Sequence, residues 1–257
     1  MNPAPIFARD ADGAWLPSDL ARGPFGGVQG GAAAALMCAA IEDAAPGFVA
    51  SVTTHFLKPA PMAPLTVTIT PLRQGRRAAV FDARLEASDS LVAVQRATVI
   101  APIDAPSLPT PPAEPAAPAA HPIRRAVEGR ALVSPYLMDA METRRGPDGL
   151  FWFRPTAPIV ESGGPMTRVL PVADWAHGLP APMGAHEPGR VMIPNTDLTV
   201  NLFRPPVGEW IGLEPATAWS RQSIGAGWAA LSDVQGLIGR VAMSIAISLP
   251  AATPSPA

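Results

Sequence analysis

The sequence predicts an α+β protein made of two similar halves, each with one helix followed by antiparallel strands. Three observations predict it. A proline-rich segment at 101–122 divides the 257 residues into two parts of ordinary domain size. Each part begins with a stretch that favours a helix. Each also contains an apolar run ending in a basic residue and proline, THFLKPAP (54–61) and NLFRPPVG (201–208).

The first half begins with GGVQGGAAAALMCAAIEDAA (26–45), whose alanine-rich body favours a helix. Small side chains would let this helix approach a curved sheet closely. The segments that follow read as strands, with SDS as a hairpin turn before the last of them: LTVTITPL (65–72), RRAAVFDARLEAS (76–88) and SLVAVQRATVIAP (90–102).

The second half repeats this order. Its helix is predicted in GGPMTRVLPVADWAHG (163–178), with Pro165 near the start, Gly178 as a stop and a kink at Pro171. Three predicted strands follow, at 209–219, 225–233 and 236–248.

The segment between the halves holds eight prolines at 101–122, which excludes a helix or a central strand there. We expect a polyproline-like spacer. The predicted organisation is an N-terminal domain at 1–103, a linker at 104–122, a C-terminal domain at 123–250 and a tail at 251–257.

Composition excludes several classes of function. The net charge of −2 and the lack of a basic run argue against nucleic-acid binding. The longest apolar stretch, 32–41, is too short to span a membrane. The single cysteine, Cys38, and the absence of a signal-peptide pattern at the N-terminus predict a cytoplasmic protein. No HExxH metal motif and no GxSxG nucleophile motif occurs.

One strand carries a carboxylate that calls for an explanation. In PNTDLTVNLFRPPVGEW (194–210), Asp197 begins an alternating strand, although aspartate is a poor strand former. The equivalent position in the first half is Ser51. Asp197 therefore breaks the symmetry of the repeat, which suits a single active site as well as a solvated surface position.

These motifs together resemble the tandem hotdog-fold acyl-CoA thioesterases, the acyl-CoA thioesterase II-like family, over roughly residues 10 to 248. The resemblance implies a double hotdog that hydrolyses acyl-CoA to acid and coenzyme A without a metal or another cofactor. The matching motifs are GPFGGVQGG (23–31), HFLKPAP (55–61), LRQGRR (72–77), ADWAHGL (173–179), NTDLTVNLFRPPVGEW (195–210) and GLIGRVAMSIAI (236–247).

The resemblance also implies the catalytic residues. The family aspartate, which orients a water, falls on Asp197, and the hydroxyl residue of the next strand falls on Thr217, with Ser220 as the alternative. The family glutamine of the last strand falls on Met243, which cannot hold a water through an amide.

Further residues are predicted to bind substrate. Glycines before the first helix would bring backbone N–H groups to the acyl carbonyl. A histidine beside the Asp197 strand would line the site, and arginines of a predicted hairpin would bind the phosphates of coenzyme A. These residues are Gly26, Gly27, Gly30, Gly31, His55, Arg76 and Arg77.

Two alternatives stay open. With methionine in place of the glutamine, the protein would bind acyl-CoA without cleaving it. A hotdog enoyl-CoA hydratase is the other alternative, and it usually pairs an aspartate with a histidine. In each case the expected partner is acyl-CoA, with no nucleic acid and no membrane. A homodimer is expected, because sheet edges and faces need to be covered.

Overall fold

A computed structural model describes residues 3–24, 26–105, 108, 137–146, 149–179 and 192–248. Most of the predicted linker and the whole of the predicted tail lie outside these residues. The described part of the linker, residues 104, 105 and 108, forms no helix or strand.

Two helices and twelve strands make up the described fold, which confirms the α+β prediction. The elements are β1 (Phe7–Arg9), β2 (Trp15–Pro17), α1 (Gly30–Ala44), β3 (Phe48–Phe56), β4 (Thr66–Gln74), β5 (Ala78–Ala87), β6 (Ser90–Ile100), β7 (Met141–Arg145), β8 (Phe151–Pro155), α2 (Pro165–Ala173), β9 (Asp197–Leu202), β10 (Ile211–Trp219), β11 (Ile224–Asp233) and β12 (Gly236–Ala246). Short 3₁₀ helices lie at Asp19–Ala21, Leu137–Ala140 and Asp174–Ala176. The strand pairs β1–β2 and β7–β8 were missed by the sequence patterns.

Ten strands form one antiparallel sheet in the order β4-β5-β6-β3-β9-β12-β11-β10-β8-β7. At its centre β3 pairs with β9, so the strands that carry the two related motifs join the two halves. The register sets His55 opposite Asp197 and Ser51 opposite Asn201.

The two faces of this sheet differ. The inner face packs on the helices and carries buried side chains such as Val52, Leu198 and Val200. The outer face carries Thr53, whose hydroxyl accepts a hydrogen bond from Thr199 at 3.1 Å. Because side chains alternate along a strand, the register assigns every position to one of these two faces.

Helix α1 is buried on nearly all sides, from Gly31 to Ala39. Its small residues permit a very close approach to α2, whereas the sequence predicts a close approach to the sheet instead. A Cβ on Gly31 would lie 2.7 Å from the Asp174 Cβ and 2.8 Å from the Leu170 carbonyl oxygen. Only glycine fits there.

The two helices run antiparallel, and each receives a carboxylate from the other at its N-terminus. Glu42, near the end of α1, accepts hydrogen bonds from the backbone N–H groups of Gly164 (3.0 Å), Met166 (2.9 Å) and Thr167 (3.3 Å). At the other end, Asp174 follows α2 and faces the first turn of α1. A carboxylate at a helix N-terminus satisfies otherwise unpaired donors and complements the helix dipole.

Replacing Glu42 with alanine is expected to lower the free energy of unfolding by about 2 kcal/mol, because it leaves the N-terminus of α2 without its cap. Urea unfolding followed by circular dichroism would measure this. The exposed neighbour Asp43 supplies the matched control, and Asp43→Ala should change stability by less than about 0.5 kcal/mol. Equal midpoints for the two variants would contradict the capping role.

Candidate active site

A cavity of about 340 Å³ lies where the start of α1, the end of β3 and the 3₁₀ turn after α2 come together. Both halves of the chain line it. Its wall is mostly apolar, with a few polar side chains grouped beside the helix. The lining residues that matter below are Gly27, Gln29, Gly30, Phe56, Asp174, His177 and Asn195.

The first turn of α1 presents backbone donors to this cavity. Gln29 is extended and caps the helix, its side-chain oxygen accepting from the Ala32 N–H at 2.8 Å. Among the described residues, no acceptor pairs with the Gly30 N–H. A Cβ on Gly30 would lie 3.1 Å from Phe56 and 3.3 Å from a carboxylate oxygen of Asp174. Glycine therefore keeps this donor accessible to a ligand.

Asp174 is a buried carboxylate, only 3% exposed. Its oxygens accept hydrogen bonds from the side-chain amides of Gln29 and Asn195, the latter at 2.8 Å. Burial raises the pKa of Asp174, and nearby His177 and the hydrogen bonds oppose that rise. A carboxylate can accept about four hydrogen bonds, so these two donors leave acceptor positions for a further group.

His177 lies three residues after Asp174. Its ring Nδ1 is 2.8 Å from the Asp174 backbone carbonyl oxygen. A carbonyl only accepts, so Nδ1 carries the proton and donates it. In the neutral ring this leaves Nε2 as an acceptor.

A bulge at the start of β9 separates two polar groups. Asn195 bridges to Ile245, whereas further along the strand Thr199 pairs with Ala242, so the register shifts by one residue between them. A bulge redirects side chains. Asn195 points inward to Asp174, and its amide also donates to the Asp197 carbonyl at 3.2 Å.

Asp197 lies on the outer face of the sheet. Its carboxylate accepts from the Ser244 backbone N–H at 3.0 Å and from the Thr196 hydroxyl at 3.4 Å. His55 stands opposite it on β3, as the sequence predicted for a histidine beside this strand.

Thr217 is not brought to Asp197. It pairs with Gly227, which in turn pairs with buried Met243, so Thr217 belongs to the inner face. Its hydroxyl accepts from the Trp219 indole at 3.0 Å. Ser220, the alternative, lies in an exposed turn and accepts from the Gln222 N–H.

Met243 does not occupy the position beside Asp197 either. Its side chain is 4% exposed and packs inward, and the β12 residue in contact with Asp197 is Ser244. Met243 is one residue away from Ser244, which on a strand places its side chain on the opposite face of the sheet.

Of the four glycines predicted to bind substrate, two line the cavity and two do not. Gly27 and Gly30 line the cavity. Gly26 has a φ of +90° in the preceding turn, and Gly31 lies under the helix crossing.

Arg76 and Arg77 lie between β4 and β5, beside Ala78. Ala78 pairs with Ile100, which also pairs with Phe48 at the start of β3. The cavity lies at the other end of β3, roughly 25 Å away at the usual rise per residue. The structure therefore does not bring these arginines to the cavity of their own chain.

A second cavity of about 560 Å³ lies at the N-terminus of α2 and is lined by Gly163, Gly164, Thr167 and Arg168 among others. At this cavity, the backbone N–H groups at the start of α2 already donate hydrogen bonds within the protein. Glu42 takes the N–H groups of Gly164, Met166 and Thr167, and Pro165 has none.

The polar residues of the first cavity were missed as site residues by sequence reasoning. Asp174 ends a run of buried residues, VLPVAD, and is followed three positions later by His177. An acidic residue in so apolar a stretch was the available signal. Gln29 and Asn195 carried none, because their partners lie 145 and 21 residues away in sequence.

Comparison with known proteins agrees with this architecture. Three solved structures of similar fold are a TesB protein from Mycobacterium avium subsp. paratuberculosis (18% identity, TM-score 0.68, covering 94% of this chain and 95% of that chain), acyl-CoA thioesterase II TesB2 from Mycobacterium marinum (15%, 0.69, 96% and 97%), and a hot dog fold protein from Alicyclobacillus acidocaldarius (17%, 0.67, 95% and 96%). At these identities they show the fold alone.

No curated protein sequence matches the chain. The family models do match it. Residues 18–101 match the acyl-CoA thioesterase N-terminal domain, and residues 102–246 match the acyl-CoA thioesterase C-terminal domain. The chain therefore belongs to the acyl-CoA thioesterase family.

Proposed function

We propose that this protein hydrolyses acyl-CoA to a free carboxylic acid and coenzyme A in the cavity at the start of α1, with Asp174 as the base. One observation carries the proposal. A buried carboxylate with acceptor positions left lies beside Gly30 in the lining of one cavity, and the Gly30 N–H has no acceptor among the described residues. Such a pair can hold a water and a thioester oxygen together.

The finer architecture belongs to the same proposal. We interpret α1 with β3–β6 and α2 with β9–β12 as two hotdog units fused in one chain, within the domains at 1–103 and 123–250. Support comes from the repeated order of elements and from the central pairing of β3 with β9.

The reaction would proceed in two steps. The thioester oxygen accepts a hydrogen bond from the Gly30 N–H, while Asp174 takes a proton from a water whose oxygen attacks the carbonyl carbon. Negative charge develops at the start of a helix, where the dipole stabilises it. The tetrahedral intermediate then collapses, the carbon–sulfur bond breaks, and the proton held by Asp174 passes to the leaving thiolate.

The second cavity supports a single active site per chain. Its helix has no N–H group left to hold a carbonyl oxygen, because Glu42 is bound to all of them in the first turn. Among the residues that the structure describes, the α1 end is the one that keeps an unpaired N–H group, that of Gly30. The asymmetry that the sequence suggested through Asp197 and Ser51 recurs here between Asp174 and Glu42.

Asp197 is the second candidate for the base. The family resemblance and its position opposite His55 favour it. Its outer-face neighbours offer less, since Thr217 points to the inner face and Ser244 contributes a backbone N–H. A comparison of the activities of the Asp174 and Asp197 variants distinguishes the two candidates.

Replacing Asp174 with asparagine is expected to lower kcat/KM for thiol release from acyl-CoA by about 10²-fold or more, because it removes the base. Asp197→Asn is the matched variant and should retain most of the activity. A chromogenic thiol assay over several acyl chain lengths measures both, with thermal unfolding to confirm that each variant folds.

Loss of activity in Asp197→Asn but not in Asp174→Asn would move the base to the outer face. If the parent protein releases no thiol from any acyl-CoA and calorimetry shows tight binding, the chain is an acyl-CoA binding protein instead.

The acid side of the pH profile should report Asp174. The base works only when ionised, and burial raises its pKa above the ordinary aspartate value of 3.8. Activity should therefore fall during acidification at a higher pH than an exposed aspartate would give. The profile of kcat/KM at constant ionic strength measures this limb. A midpoint at the ordinary aspartate value would contradict the assignment.

A homodimer is part of the proposal. Within the described part of the chain, β4 and β7 form the two edges of the sheet, and its outer face exposes Trp228 (44%) and Ile224 (64%). In such a dimer Arg76 and Arg77 would serve the cavity of the second copy. Sedimentation equilibrium at micromolar concentration should give twice the chain mass, and a monomer would refute the dimer.

The expected compartment is the cytoplasm, in keeping with the buried free thiol of Cys38. Within the described ranges, no helix is long and apolar enough to cross a membrane.

A further inference from the structure

His177 lines the cavity, yet hydrolysis as proposed makes no use of it. Its ring is held in one tautomer by the hydrogen bond from Nδ1 to the Asp174 carbonyl oxygen, at 2.8 Å. In the neutral ring Nε2 then keeps a free lone pair.

Strand β11 of the sheet also packs against His177, on the side away from the cavity. A Cβ on Gly227 of β11 would lie 3.1 Å from the His177 Cβ and 3.3 Å from the Met243 side chain. Glycine at this inner-face position makes room for the histidine between the sheet and the cavity. The cavity thus contains a carboxylate able to hold a water. Three residues further along the chain, it also contains a second group that can act as a base, the His177 ring.

We propose that this cavity also hydrates 2-enoyl-CoA thioesters to 3-hydroxyacyl-CoA, with His177 as the proton carrier. The inference rests on the proposed function, because it uses the same bound thioester and the same water. The class of substrate differs only in the double bond next to the carbonyl group.

The step balances without any further reactant. The water held by Asp174 gives a proton to His177 Nε2 while its oxygen forms a bond to C3. The π pair of the C2–C3 bond shifts to the thioester oxygen, where the Gly30 N–H stabilises the enolate. The imidazolium, stabilised by the Asp174 carboxylate, then returns the same proton to C2, and the histidine is neutral again.

The experiment follows two products from one substrate. The protein is incubated with crotonyl-CoA and with a medium-chain trans-2-enoyl-CoA, and the loss of enoyl absorbance is recorded beside thiol release. Mass spectrometry identifies the 3-hydroxyacyl-CoA. Butyryl-CoA, the saturated control, should release thiol only.

His177→Asn keeps an N–H donor near the position of Nδ1 but has no base at Nε2. It should lower the hydration rate, and the ratio of hydration to hydrolysis, by about 10²-fold. His177→Gln is the second variant, and both are checked by thermal unfolding. Asp174→Asn should lower both reactions.

Thiol release from crotonyl-CoA without any hydration would overturn this inference and leave the proposed hydrolysis standing. The absence of both reactions would overturn both. Hydration by a folded His177→Asn protein at the parent rate would also overturn the role of His177.

Discussion

The fold depends on two antiparallel helices that cap each other with carboxylates. Glu42 of α1 accepts hydrogen bonds from the first turn of α2, and Asp174 after α2 accepts one from the side chain of Gln29, the N-cap of α1. Each N-terminus would otherwise bury unpaired N–H groups, which is costly. The geometry requires glycine at position 31, where a Cβ would lie 2.8 Å from the Leu170 carbonyl oxygen, and a Cβ on Gly164 would displace the Glu42 carboxylate from its place at the N-terminus of α2. The alanine-rich helix and the paired glycines therefore serve one close contact.

The two ends of this helix contact are built alike, but their N–H groups are capped differently, and the candidate site lies at the end where one N–H group is unpaired. The side chain of Glu42 binds every N–H group of the opposite first turn, because Pro165 removes one donor and Glu42 takes the rest. At the other end Gln29 shares the capping with Asp174 and leaves the Gly30 N–H free. Among the described residues, the two helix N-termini therefore differ: Glu42 binds every N–H group at one, and the Gly30 N–H is left unpaired at the other, which supports the proposal of one active site per chain.

Local patterns predicted α1, α2 and most long strands, because periodicity and alanine content are local properties. They missed β7 and β8, which are short and come after the proline-rich segment. The candidate site was harder. Asp197 and Thr217 lie on strands that are consecutive in sequence. The register of the sheet places Asp197 on the outer face and Thr217 on the inner face, a difference of one residue. Asp174 was overlooked because its donors, Gln29 and Asn195, reach it only through tertiary packing.

The burial of Asp174 indicates that this carboxylate does more than cap a helix. Removing an ionised carboxylate from water costs several kcal/mol, offset here by donors worth about 1.5 to 3 kcal/mol each. The raised pKa means that the offset is incomplete. For such a group, the stability present below its unfolded pKa is lost as the pH rises through the folded pKa. Above its folded pKa, the ionised Asp174 therefore lowers the stability of the fold relative to the protonated form. A neutral cap would hold α1 without that cost, and the base role proposed above for Asp174 gives a reason for a carboxylate at this position.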